Sequence, residues 1–227
     1  LTELFSPAAW LDSLTRLFSP YDYGPFYSNP LAGILQDMPH PRLGLERGPQ
    51  FFVTATNVRT GRIRVFSGAE VTVDTVLASA CLPTLFRAVE IDGEAYWDGG
   101  YAGNPTITPL VRETDARDTI VVQINPTERP EEPRSAADIL NRLNEISFNS
   151  PLAKELRMIA LLRQVADPGT GEGARWAQMK THRIKSDLLA TFGSSSKLNA
   201  EWAFVAKLQE EGRRAAGEFL DAHGVDI

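Results

Sequence analysis

The sequence predicts an α/β fold, and three observations predict it. Short β-branched and aromatic runs separated by turn residues fill positions 51–97. A continuous apolar run follows at 119–126, and beyond Ser135 the apolar spacing is helical throughout. Strands early and helices late describe a sheet with a helical carboxyl-terminal layer.

Taken in order, Ser6-Pro7 followed by Ala8, Trp10, Leu11, Leu14, Leu17 and Phe18 supplies an N-cap, a proline at the first helical position and an apolar stripe. A short helix to Phe18 is expected. Residues 19–49 are rich in proline and carry Tyr21, Tyr23, Phe26 and Tyr27, so they are expected to be an irregular covering segment. Residues 51–57 and 62–67 read as a hairpin turned at Val58-Arg59-Thr60-Gly61. Thr72 caps a helix over Val73, Val76, Leu77 and Ala80 that Pro83 stops. Strands at 85–91 and 94–97 flank Asp92-Gly93, a favoured tight-turn dipeptide, and the second delivers Asp98.

A helix is expected at Thr106–Glu113. The run 119–126 has the character of a strand covered on both faces. Helices are then expected at 136–148 behind Ser135, at 151–165 after Pro151, at about 184–192 and at about 199–222. In the last of these Trp202, Val205, Leu208, Ala215, Phe219 and Leu220 form the apolar side.

With 227 residues, 43% of them apolar, the chain is large enough to bury a substantial core. A net charge of −6 leaves no basic footprint for nucleic acid. The single cysteine, Cys81, excludes an intrachain disulfide, and with three histidines there is no zinc framework, so no cofactor or metal is expected. No run of about 18 apolar residues occurs, so no transmembrane segment is expected. Cysteine usage points to a reducing, cytoplasmic location.

Two motifs carry the chemistry. Ala78-Ser79-Ala80-Cys81-Leu82-Pro83 precedes Asp98-Gly99-Gly100, and Asn104-Pro105 follows. Together they resemble the carboxyl-terminal portion of a bacterial-type patatin-like phospholipase, from about Asn29 to the end. The resemblance implies the second half of a three-layer α/β/α fold. Residues 1–227 would then be one patatin-like domain: 1–50 a helix and covering segment, 51–126 the sheet-forming part, and 127–227 the helical layer.

The resemblance also implies a serine acyl hydrolase with a Ser-Asp dyad, acting on a lipid or another acyl ester. Asp98 matches the family's catalytic aspartate. Gly99 and Gly100 are expected to allow backbone angles closed to other residues and to let the substrate approach without a Cβ in the way. Asn104 is expected to support the turn through its amide. The family's nucleophile sits in a Gly-x-Ser-x-Gly turn, and no serine of this sequence does. Gly193-Ser194-Ser195-Ser196-Lys197 lacks the closing glycine. The serine and the oxyanion donors are therefore expected in an amino-terminal portion of the same protein, as this chain's partner, and the chain alone is expected to be inactive.

The remaining candidates look inert. His40, His182 and His223 lie in no motif that orients a histidine against a carboxylate, although His182 is expected to open a helix able to cover a site. Cys81 sits among small apolar residues, as a buried structural cysteine does. Two alternatives stay open: a non-catalytic subunit or fragment with a scaffolding or regulatory role, and a glycosidase using Asp92 with Asp98 as paired carboxylates.

Overall fold

The computed structural model describes residues 19–22, 24, 27–37, 49–169, 171–192, 196 and 199–224. The helix expected at Ser6–Phe18 and His40 lie outside these residues. The chain divides into two compact units, Leu1–Thr106 and Ile107–Ile227.

In the first unit, helix α1 (Pro30–Asp37) occupies part of the segment expected to be irregular. Asn29 starts it, its side-chain oxygen accepting from Leu31 N at 3.0 Å. Strands β1 (Phe52–Asn57) and β2 (Ile63–Ser67) form the expected antiparallel hairpin, with Val53 opposite Phe66. Asn57 shapes its turn by accepting from Arg59 N and Thr60 N, and Gly61 sits at φ 66°.

Helix α2 (Val73–Ser79) opens with a reciprocal cap between Thr72 and Thr75. Strands β3 (Val89–Ile91) and β4 (Glu94–Asp98) are joined at Asp92 and Gly93, whose φ of 54° and 76° suit a primed turn. The expected strand at 85–91 is confined to its last three residues. The sheet order is β2-β1-β4-β3, with Ala55 opposite Asp98. Val53, Ala55, Phe66, Ala78 and Tyr96 form its core, and the Phe66 and Tyr96 rings meet edge to face at 5.9 Å.

The second unit holds α3 (Thr108–Glu113), β5 (Asp118–Val122), α4 (Ala136–Val165), α5 (Gly171–Gln178), β6 (Lys180–Ile184) and α6 (Trp202–His223). Its core joins Ile107, Val111, Val121, Leu152, Ile159, Trp176 and Met179.

Pro151 does not split 136–165; it lies inside a single 30-residue helix. Proline forfeits one backbone hydrogen bond, and the buried Leu152 and Ile159 on the following turns anchor that half in the core. Residues 180–184 are a strand where helix only was expected, because Lys-Thr-His-Arg-Ile pairs in parallel with β5; the predicted helix over 184–192 reduces to the 3-10 turn Asp187–Thr191. The apolar run of β5 is covered on one face: Thr119 and Val121 are buried, whereas Val122 is 67% exposed. In α6, Ala215 and Phe219 are buried but Trp202 and Leu220 are exposed, so its apolar side is only partly covered.

Candidate active site

The two sequence motifs meet. Asp98 N donates to the Cys81 carbonyl at 2.9 Å, which ties the last residue of β4 to the turn after α2. Ala78 and Cys81 are completely buried beneath it. The Cys81 thiol donates to the Arg87 carbonyl at 3.1 Å. Burial, and then the charge of Asp98, push that thiol up to about 11, so it is an inert structural group as expected.

Asp98 is the N-cap of the 3-10 turn Gly99–Tyr101, its Oδ1 accepting from Gly100 N at 2.7 Å. Burial raises its pKa above the usual carboxylate value, and the Gly100 hydrogen bond opposes the rise. From β1, Thr56 Oγ1 donates to the Asp98 carbonyl at 2.8 Å and fixes the peptide that launches the turn.

Gly99 and Gly100 are not among the positive-φ glycines of the described residues, so the expectation of backbone angles closed to other residues is corrected. For Gly99 the requirement is space. A Cβ there would strike the Thr54 carbonyl oxygen and hydroxyl, with the Thr54 carbonyl carbon at 2.7 Å. Asn104 is half-buried and precedes Pro105 through a cis peptide bond.

Thr54, Thr56 and Tyr101 escaped the sequence reading. The signal was present in Phe-Val-Thr-Ala-Thr-Asn, since alternation puts both threonines on the same side of β1. What was missing was the pairing of β1 with β4 that brings them to Asp98. Tyr101 is the last residue of the turn, and its phenol is raised by burial and then by the negative charge of Asp98.

Asp92 lies in the turn before β4, and the four strand steps from Glu94 to Asp98 alone span roughly 13 Å. Its side chain is 72% exposed and pairs with Arg64 at 3.0 Å. The two carboxylates therefore do not share a cleft as a glycosidase pair must. His182 does not open a helix as expected. It lies at the middle of β6, where its Nε2 donates to Asp118 Oδ1 at 2.9 Å, a diagonal tie to the first residue of β5. Its ring packs edge-on against Phe219 at 6.0 Å, and His223 bonds the Phe219 carbonyl at 3.2 Å.

The family model of the patatin-like phospholipases matches residues 2–111. This stretch is patatin-like. The match contains the Asp98 turn and Asn104, and it starts before Asn29 and ends at Val111, short of the carboxyl-terminal extent the sequence motifs suggested. No curated protein matches the chain. The mixed sheets and helices agree with a patatin-like α/β fold, and the carboxyl-terminal segment carries the helices α4, α5 and α6. Patatin-like phospholipases are lipid acyl hydrolases, and that is the functional class to which the match points. Among the described residues, no helix is long and apolar enough to cross a membrane, and no three His, Cys, Asp or Glu side chains converge as a metal site.

Proposed function

We propose that this chain supplies the base of a Ser-Asp acyl-ester hydrolase. The observation that carries the reading is Asp98 itself. It is a half-buried carboxylate at a strand end, raised by burial and aimed by Gly100 N–H and Thr56. A general base works best when its pKa approaches the operating pH, and burial moves Asp98 in that direction.

The serine comes from a Gly-x-Ser-x-Gly segment outside these 227 residues, because the sequence contains none. Its hydroxyl attacks the acyl carbonyl, Asp98 takes the proton, and the proton passes to the leaving alkoxide. Water then attacks the acyl-enzyme as Asp98 takes its proton, and Asp98 returns that proton to the serine oxygen as the acid departs, which restores both groups. Oxyanion donors travel with the serine segment. Gly99 holds the turn against β1, and Asn104 supports it through its amide. The substrate is a lipid or another acyl ester, the location cytoplasmic. Residues 1–227 act as one patatin-like domain despite their two compact units.

Hydrolysis of p-nitrophenyl butyrate tests this. The purified 227-residue chain is expected to show no turnover and no labelling by a fluorophosphonate, with both appearing once the serine-bearing portion is present. Labelling of the chain alone would overturn the split dyad. Binding of a partner with no hydrolysis by the complete protein would favour a scaffolding role.

A further inference from the structure

The second unit carries a solvent-open cavity of about 550 Å³ that shares no residue with the Asp98 turn. That volume lies within the range of about 300–1,000 Å³ usual for small-molecule sites. It opens beyond the carboxyl ends of the parallel strands β5 and β6, where Ile124 and Ile184 form one wall. Ligands of parallel α/β sheets collect at that end of the strands. Phe192 and Phe204, in edge contact at 5.2 Å, and Leu208 of α6 form the facing wall. A solvent-open cavity with such walls leaves apolar surface wet, and an alkyl ligand would remove it from water.

The charged groups on its rim are not equivalent. Glu145 is buried and bonded by Arg129 at 2.5 Å and Arg142 at 3.2 Å, so Arg129 and Glu145 neutralise one another. Glu211 is bonded by Arg214 at 2.6 Å and by the Ser186 hydroxyl. Lys185, exposed directly after β6, makes no ion pair with a described residue. Among the described residues, the uncompensated charge on the rim is therefore positive.

A further detail concerns α6. Gly212 lies inside this helix and on the cavity wall, and a Cβ at that position would meet nothing within 4 Å. Glycine is costly in a helix interior, and here its missing side chain leaves room in the cavity.

We propose that this cavity binds an apolar monoanion with one alkyl tail, the tail lying among Ile124, Phe204 and Leu208 and the anionic head at Lys185. The site stands independently of the Asp98 reading. Titration calorimetry of the full chain with decanoate, decanol and decyltrimethylammonium tests it. Decanoate is expected to saturate at one per chain and to bind at least tenfold tighter than the ammonium amphiphile, with decanol between them.

Lys185→Glu is expected to reverse the ranking of decanoate and the ammonium probe. Gly212→Leu with Ala216→Trp, both on the wall, is expected to weaken decanoate at least tenfold while leaving the helical circular dichroism unchanged. Asp98→Asn is expected to bind decanoate as the parent does, which separates this site from the catalytic proposal. Equal affinity for the two charged heads, or unchanged decanoate binding in the filled variant, overturns the proposal. Should the filled variant fail to fold, the charge reversal at Lys185 decides alone.

Discussion

In the first unit β1 and β2 are joined through Val58–Gly61, and β3 and β4 through Asp92-Gly93. In the second unit β5 reaches its partner β6 only after the whole of α4 and α5 has intervened. The first kind of pairing is written into the turn residues, because a left-handed Asp-Gly pair closes an antiparallel ribbon at once. The second has no local signature. A parallel partner is chosen by what it meets after a long excursion, and Lys-Thr-His-Arg-Ile resembles a strand in little except its placement.

Asp98 depends on one non-local step of its own. β4 emerges from a local hairpin, but its far end is fixed by β1 through Ala55 and Thr56 and by the Cys81 carbonyl. The turn is thus locally encoded and remotely held.

The largest expected effect tests that turn. In the complete protein, Asp98→Asn keeps the side-chain oxygen that accepts from Gly100 N but removes the base. kcat for p-nitrophenyl butyrate should then fall by about two to four orders of magnitude, the range for a positioned general base. Melting should barely change. Because burial raises the pKa of Asp98, its working ionised form is lost as pH falls through a value above that of an ordinary aspartate. The acid limb of kcat/KM should therefore lie above the usual aspartate range, and a limb at or below it would detach the limb from Asp98.

Next in size, the two cores can be damaged separately. Phe66→Ala, from a fully buried site against Tyr96, should cost about 3–5 kcal/mol, and Ile159→Ala about 2–5 kcal/mol. Hydrogen exchange should show Phe66→Ala loosening amides of 52–98 first and Ile159→Ala those of 107–179. Uniform loss in both variants would mean that the units unfold as one.

Gly99→Ala separates conformation from space. If only backbone freedom mattered, alanine would be tolerated at this ordinary φ; instead its Cβ meets the Thr54 backbone. We expect a loss of about 1–3 kcal/mol, as for overpacking, together with reduced turnover. Denaturant titration of the variant beside Asp98→Asn would show stability falling in the first and holding in the second.

The smallest effect is expected at the other end of β4. Asp92→Asn keeps a residue tolerant of the left-handed region and gives up only an exposed pair with Arg64. Stability should change by less than about 1 kcal/mol, and turnover should stay within a few-fold. Inactivation by Asp92→Asn with Asp98→Asn still active would reverse the two ends of the strand.

Much of the first unit was legible because its signals are short-range. The Thr72 cap, the Gly61 turn, the Asp92-Gly93 hairpin and the Asp98 turn each depend on residues a few positions apart. Legibility faded where burial had to be judged. The apolar run of β5 looks the same in sequence with one face covered or two, and Val122 and Ile124 turn out to be exposed. Proline at 151 reads as a helix break, yet one lost hydrogen bond is small beside the burial of Leu152 and Ile159.

By itself the sequence determined that a carboxylate at 98 would stand in a tight glycine turn, and that no serine of the chain sits in a Gly-x-Ser-x-Gly turn beside it. Composition and spacing suffice for such statements. Only the tertiary structure decided that Gly99 is glycine because Thr54 occupies the space a side chain would need, that Thr56 and the Cys81 carbonyl hold the turn, and that His182 is bound to Asp118. Each of these joins atoms from separate segments, and their proximity follows from strand register and packing, which no local pattern of residues encodes.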